Sequence, residues 1–199
     1  MSESTICIVD GVTKQAVDAI LYDQIEQRHL DDFESKWKPW RAKVLQGLPT
    51  PVREESSHWE WSKKQNKISG LLAYPSFAVE CCNETQGLMI VNTMSHCRLD
   101  SQRSKPLVYV EFLETAPWNR EQLSDVPRYK RVGPVLIDVA IQLSISEGFE
   151  GRLGLHSLPQ SDGWYRDKCK MTDLGLDPRK NMTYFEMTPE QARAFVGDS

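Results

Sequence analysis

The sequence predicts a single α/β domain built on a mixed sheet. Three observations predict it: the composition of an ordinary globular chain, three short strand patterns in succession near the middle, and alternating helix and strand patterns after them. The chain has 199 residues, 40% of them hydrophobic and 26% charged. At that length roughly 70% of the unfolded surface can be buried without disulfides or a structural metal.

The first seventy residues read as helical. Asp10-Gly11 marks a turn, Thr13 is placed to cap a helix, and Val17, Ile20, Leu21, Ile25 and Phe33 recur at helical spacing. A second helical piece is expected over 37–45. Pro49, Pro51 and the segment His58-Trp59-Glu60-Trp61-Ser62-Lys63-Lys64 predict loop with some helix over 47–67. Strands over 77–82, 87–93 and 107–114 follow, the first two joined by Asn83-Glu84-Thr85-Gln86, and they make an antiparallel meander. Pro134 then opens a helix and Gly148 closes it. Within it Asp138, Gln142 and Ser146 fall four apart, one polar stripe on an otherwise apolar cylinder, which predicts a mostly buried helix. A strand over 151–158, a short helix over 161–168 and a strand over 182–187 come next. Thr188-Pro189-Glu190-Gln191 is a capping box with proline at the first helical position, so a last helix runs through Phe195.

Charge and composition exclude several classes. A net charge of −4 argues against nucleic acid as partner, since phosphate backbones need a concentrated basic face. The acidic excess lies before residue 128, and Arg128, Lys130 and Arg131 form a basic knot in a neutral final third. The start of the chain lacks the basic and apolar regions of a signal peptide, and no stretch approaches membrane-spanning length. A cytoplasmic protein is expected. The five cysteines, at 7, 81, 82, 97 and 169, include no Cys-x-x-Cys pair, and His96-Cys97 lacks spacing for a tetrahedral ion, so no metal is expected.

The chemistry concentrates between residues 107 and 165. The strand Leu107-Val-Tyr-Val-Glu-Phe-Leu-Glu114 leads to Arg128-Tyr129-Lys130-Arg131-Val132-Gly133-Pro134 and directly into the helix. A loop that opens a helix presents free N–H groups and the positive dipole end, and three cationic side chains reinforce it as an anion site. By residue type alone, the same bases also suit a solvated turn.

Residues 128–137, then Gly148-Phe-Glu-Gly-Arg-Leu-Gly-Leu-His156-Ser157-Leu-Pro and Gly163-Trp164-Tyr165-Arg166-Asp167-Lys168-Cys169-Lys170-Met171, resemble the central part of the GNAT superfamily of N-acetyltransferases. The resemblance covers about residues 77–188. It implies a GNAT-like α/β fold, a mixed, mostly antiparallel twisted sheet with helices on both faces and a splayed central strand pair, with an acetyl-CoA-binding core over 71–199 and an acceptor-side region over 1–70. Arg128 and Gly133 match the first and last anchors of the family's pyrophosphate loop. Arg131 stands where the family usually has its first glycine, and Pro134 offers no N–H.

The resemblance implies roles. Arg128, Tyr129, Lys130, Arg131, Val132, Gly133 and Val135 hold the pyrophosphate, and Leu113, Glu114 and Thr115 meet acetyl and pantetheine through main chain. Ser157 hydrogen-bonds the cofactor's amides, and Tyr165 is the general acid for the leaving thiolate. Glu111 is the first choice of base, with Glu80 in reserve. Glu111 and Glu114, three apart on a strand, face opposite ways, so at most one carboxylate reaches the acceptor without a bulge. His156 and Ser157, adjacent on a strand, cannot act as base and nucleophile. The implied function is acetyl transfer from acetyl-CoA to a primary amine by direct attack, with an amine-bearing small molecule or peptide as acceptor and a homodimer compatible with it. The alternative is a GNAT-fold module that binds acetyl-CoA or a protein partner without turnover.

Overall fold

The structure, a computed structural model, describes residues 2–47 and 54–197. Pro49 and Pro51 of the expected loop lie outside the described residues. The chain opens not with a helix but with a β-hairpin, β1 (Glu3–Asp10) antiparallel to β2 (Ala16–Tyr22), with Val9 opposite Ala16 and Glu3 opposite Tyr22. The spacing of Val17, Ile20 and Leu21 fits both periods, and antiparallel pairing of β2 with its neighbours selects the strand. Thr13 caps nothing. The Asp10 carboxylate accepts the N–H groups of Val12 at 2.9 Å and Thr13 at 2.7 Å, an Asx turn that closes the hairpin.

Helix begins later. α1 (Gln27–Asp32), a wide π-turn over Phe33–Trp37 and α2 (Lys38–Gly47) follow one another without a break. The Glu26 side chain and His29 cap the start reciprocally, and buried Trp37 donates its indole N–H to the Thr85 carbonyl at 3.0 Å. Of the Trp-rich segment, α3 (Trp61–Ile68) is helical, with Trp61 fully buried.

The meander is present as expected: β3 (Ser76–Cys81), β4 (Glu84–His96) and β5 (Pro106–Thr115). The expected four-residue link 83–86 shrinks to two residues, Cys82 and Asn83, both at positive φ (53° and 58°), the signature of a tight I′ hairpin turn. After β5 come a two-residue strand β6 (Tyr129–Lys130), α4 (Val132–Ser146), β7 (Leu153–Ser157), β8 (Thr172–Asp177), β9 (Met182–Met187) and α5 (Pro189–Gly197). The expected short helix over 161–168 is present as part of one continuous helical run, a tight turn at Pro159–Ser161 passing through Asp162 and Gly163 into a wide turn at Trp164–Lys168. Among the described residues nine strands take the order β6-β1-β2-β3-β4-β5-β7-β9-β8, an open and mostly antiparallel sheet.

Two compact units are interleaved along the chain. Unit one comprises Met1–Leu72, Ser76–Met89 and Leu113–Leu136; unit two comprises Ala73–Pro75, Ile90–Phe112 and Ile137–Ser199. In unit one the first turn of α4 packs against β4 at Gly87, where a Cβ would meet the Val132 and Leu136 side chains at 2.8 and 2.9 Å. In unit two Gly154 of β7 lies under Tyr184, and a Cβ there would stand 2.5 Å from the phenol oxygen. α4 is more amphipathic than expected: Ile137, Ala140, Ile141 and Ser144 are buried, while Gln142, Ile145 and Ser146 face solvent. No helix among the described residues is long and apolar enough to cross a membrane.

Candidate functional site

In unit one the basic loop is held at several points. β6 pairs with β1, Tyr129 opposite Asp10 and Lys130 opposite Val9, and the Gly11 N–H donates to the Arg128 carbonyl at 2.8 Å. A Cβ on Gly11 would sit 1.5 Å from the Pro127 oxygen, so only glycine lets the two segments meet. Asn119 accepts the Tyr129 N–H at 2.8 Å and donates to Gln86 at 3.0 Å. Trp118 donates its indole N–H to the same Gln86 oxygen at 2.9 Å and accepts the Arg128 N–H through its carbonyl at 3.0 Å.

At the end of this loop Arg131 takes a left-handed conformation (φ 72°), and α4 starts at the next residue, with the Val135 N–H bonded to the Arg131 carbonyl. Helix geometry leaves the Val132 and Gly133 N–H groups without an intrahelical acceptor. Pro134 occupies the third position, where an N–H would also lack one, so its missing donor costs the helix nothing. Arg128 pairs with Glu84 and stacks its guanidinium over Trp118 at 4.7 Å, and Lys130 lies 3.5 Å from Glu121. Arg131 is exposed and has no carboxylate partner among the described residues.

Leu113, Glu114 and Thr115 end β5 in the same unit, and Glu114 turns its side chain into a buried ion cluster. One carboxylate oxygen accepts from Arg41 Nη2 at 2.6 Å, Arg120 Nη2 at 2.8 Å and Ser56 Oγ at 3.1 Å; the other accepts from Trp61 Nε1 at 2.6 Å. Arg120 also reaches Glu54 at 2.9 Å and the Thr115 carbonyl at 3.0 Å. Glu114 is 2% exposed and Arg41 is 3% exposed, so its carboxylate holds α2, α3 and the loop after β5 together. Glu80, the reserve carboxylate, is buried 3.6 Å from His29 Nε2 and pairs with Arg28 at 3.4 Å.

Unit two carries the remaining candidates. β5 and β7 run parallel and pair at Val108, Tyr109 and Val110; the pairing stops there although β7 continues to Ser157, so the strands part beside Glu111 and Phe112. Glu111 is half-buried and accepts a long bond from Asn92 Nδ2 at 3.4 Å, while Asn92 also donates to the Tyr74 hydroxyl at 3.2 Å. Ser157 is buried, with its hydroxyl on the Leu158 carbonyl at 3.0 Å. Tyr165 sits in the wide turn Trp164–Lys168, edge-on to Trp164 at 4.9 Å and near Phe185 at 5.9 Å. Burial, with a smaller push from Cys169, raises its phenol pKa well above the usual value, so it stays protonated at neutral pH.

Two polar groups escape sequence reading. One is the Arg41–Glu114–Arg120 cluster. The other, in unit two, joins Tyr109, His156, Asp177, Lys180 and Arg98 on five separate segments. The Glu186 carboxylate, fully buried beside it, accepts the Arg98 and Leu99 N–H groups at 2.7 and 3.0 Å and Gln102 Nε2 at 2.8 Å. Burial, seconded by Glu186, pushes the Cys97 thiol up to about 12. Among the described residues no three His, Cys, Asp or Glu side chains converge as a metal set.

No protein-family model matches the chain, and no curated protein sequence matches it. Solved structures do. The PaiA N-acetyltransferase of Thermoplasma acidophilum in complex with coenzyme A superposes with a TM-score of 0.55 over 86% of this chain and 99% of its own, at 10% identity. The fold is that of the GNAT acetyltransferases. The GNAT domain of S. lividans PAT agrees, at TM-score 0.54, 10% identity and coverage of 93% of this chain and 96% of that one. Mycobacterium smegmatis RimJ in complex with CoA-disulfide matches at 0.50, with 11% identity, over 99% of this chain and 94% of its own. The parting of β5 from β7 is the splayed strand pair expected of this fold.

Proposed function

We propose that this chain transfers an acetyl group from acetyl-CoA to a primary amine in the cytoplasm. The observation that carries the reading is the start of α4: a left-handed Arg131 delivers two unbonded N–H groups, a helix dipole and an unpartnered guanidinium to one place. Residues 128–135 bind the pyrophosphate, and the main chain of Leu113, Glu114 and Thr115 meets the acetyl and pantetheine groups. Ser157 lies along the pantetheine arm. Acetyl-CoA supplies an activated thioester carbonyl. Glu111 takes the proton of the incoming ammonium directly or through water, and Tyr165, kept protonated by burial, returns a proton to the thiolate. Acceptor choice rests with the segment before residue 70.

The test is acetyl-CoA binding by calorimetry, followed by thiol release on polyamine, amino-acid and peptide panels. Tyr165→Phe is expected to lower turnover about 100-fold while cofactor binding persists; an unchanged rate removes Tyr165 from the mechanism. A second reading, a binding module without turnover, is favoured by Arg128 and Lys130 already having carboxylates at hand and by the burial of Tyr165. Binding without thiol release on any amine supports that reading, and absence of binding defeats both.

A further inference from the structure

Unit two contains a hydrogen-bonded chain that the transfer reading does not use. It starts at the ε-amine of Lys180, an exposed residue in the turn between β8 and β9, and ends at a carboxylate. Lys180 Nζ donates to the Tyr109 phenol oxygen at 3.0 Å, that oxygen lies 2.6 Å from His156 Nδ1, and His156 Nε2 lies 3.0 Å from Asp177 Oδ2. An ammonium only donates and a carboxylate only accepts, which fixes the direction of every bond. Asp177 requires the imidazole proton on Nε2; the neutral ring then accepts the Tyr109 O–H at Nδ1, and the phenol oxygen receives Lys180.

The charges around the chain support this assignment. Burial holds the His156 pKa below the ordinary imidazole value, with the Lys180 and Arg98 cations pushing the same way, so the ring is neutral at neutral pH. Asp177 stays ionised well below the usual carboxylate range, through Arg98 at 2.7 Å, His156 and the Arg179 N–H. The titratable and charged groups facing the chain are Tyr109 and Glu111 on β5, His156 on β7, Asp177 on β8, Tyr184 and Glu186 on β9, Arg98 after β4, and Lys180 itself.

A protonated lysine is no nucleophile; it must first lose a proton, and here the proton has a route. As Lys180 gives one to the Tyr109 oxygen, Tyr109 passes its own to His156 Nδ1, and Asp177 stabilises the imidazolium. We propose that Lys180 is an acyl-acceptor lysine of this chain, its ε-nitrogen attacking the carbonyl of an activated acetyl donor, a thioester or an acyl phosphate. The N–C bond forms as the donor's C–S or C–O bond breaks, and the leaving thiolate or phosphate departs with the electron pair. The acylated nitrogen, still carrying two hydrogens, loses the second proton to solvent, and the proton held by His156 passes to the departing thiolate or phosphate. Tyr109, His156 and Asp177 are positioning and relay residues for Lys180.

The experiment follows acetyl occupancy of individual lysines by peptide mass spectrometry after incubating the full chain with acetyl-CoA or, separately, acetyl phosphate. Exposed Lys63 and Lys105 serve as internal references. Lys180 is expected to react about tenfold faster or more than either reference at neutral pH. Tyr109→Phe and His156→Gln are each expected to bring it to the reference rate, with melting temperature reporting that the variants fold. In the unsubstituted chain Lys180 keeps its reactivity as pH falls, and in both variants its rate drops with pH as the references do. Equal rates at Lys180 and the references with both donors overturn the proposal, as does a fast Lys180 that neither substitution slows. Selective labelling by acetyl phosphate without calorimetric binding of acetyl-CoA supports this inference while defeating the cofactor reading. Binding of acetyl-CoA with unselective labelling does the reverse.

Discussion

Replacing Glu114 with glutamine keeps its volume and removes one charge from a site that water does not reach. Two guanidiniums and a hydroxyl converge on one of its oxygens, and the Trp61 indole N–H meets the other. A glutamine has only one acceptor oxygen. Turned toward Arg41 and Arg120, it sets its NH2 against the indole N–H; turned toward Trp61, it sets its NH2 against two cations. Arg120 keeps its contact with Glu54 at 2.9 Å. Breaking one partner out of a buried ion cluster costs about 3–5 kcal/mol. For a chain of this size that lowers the melting temperature by roughly 6–20 °C. Urea unfolding of Glu114→Gln at neutral pH reads the loss directly, and a cycle with Arg41→Met assigns it, because the coupling of the two substitutions must itself exceed about 1 kcal/mol. A loss under about 1 kcal/mol, the scale of an exposed pair, would show that the cluster is open to solvent and that the reasoning from burial is wrong.

Other outcomes follow from single contacts. His29 is buried with its Nδ1 accepting the Glu26 N–H at 2.9 Å, and burial together with the Arg28 cation lowers its pKa to about 4. Its folded pKa lies below the unfolded value of 6.5, so the contribution is whole above pH 6.5 and is lost as pH falls toward 4, by about 3 kcal/mol; urea midpoints across that window check it, and His29→Gln should flatten the slope. Gly154→Ala forces a methyl into the Tyr184 hydroxyl, which itself donates to buried Glu186 at 3.1 Å, and is expected to cost about 1–3 kcal/mol by overpacking; a melting temperature within error of the parent would show that β7 can shift to admit it.

The elements that the sequence announces are those whose signals are local. The capping box at Thr188 is present as read, with the Thr188 N–H on Gln191 Oε1 at 2.8 Å and the Gln191 N–H on Thr188 Oγ1 at 3.3 Å. β3, β4 and β5 carry enough β-branched and aromatic residues to stand alone. β2 does not announce itself, because its apolar positions satisfy two periods and only its pairing with β1 and β3 chooses between them. β8 is hidden for another reason: Asp173, Gly175 and a bulge between Asp173 and Leu176 make an exposed edge with no apolar alternation.

The candidate site divides in the same way. The basic loop is legible because Arg128, Lys130 and Arg131 are neighbours in sequence. The ion cluster is not, since Arg41 and Trp61 stand 73 and 53 residues from Glu114. The Lys180 chain is not either: Tyr109 is 71 residues from Lys180 and 47 from His156. Adjacency in sequence pairs His156 with Ser157, whereas its hydrogen-bond partners, Tyr109 and Asp177, come from β5 and β8.

The short bridge between β6 and β1 also has a consequence in time. Asp10 is made early, but its partner Tyr129 leaves the ribosome about 120 residues later, a wait of roughly 6–24 s at 5–20 residues per second. Until then the outer edge of β1 is an open row of donors and acceptors, and Gly11 has no Arg128 carbonyl to meet. The basic loop can therefore be docked only once Tyr129 and Lys130 have been made, and a nascent chain stalled before residue 129 exposes a strand edge that the folded protein covers at Val9 and Asp10.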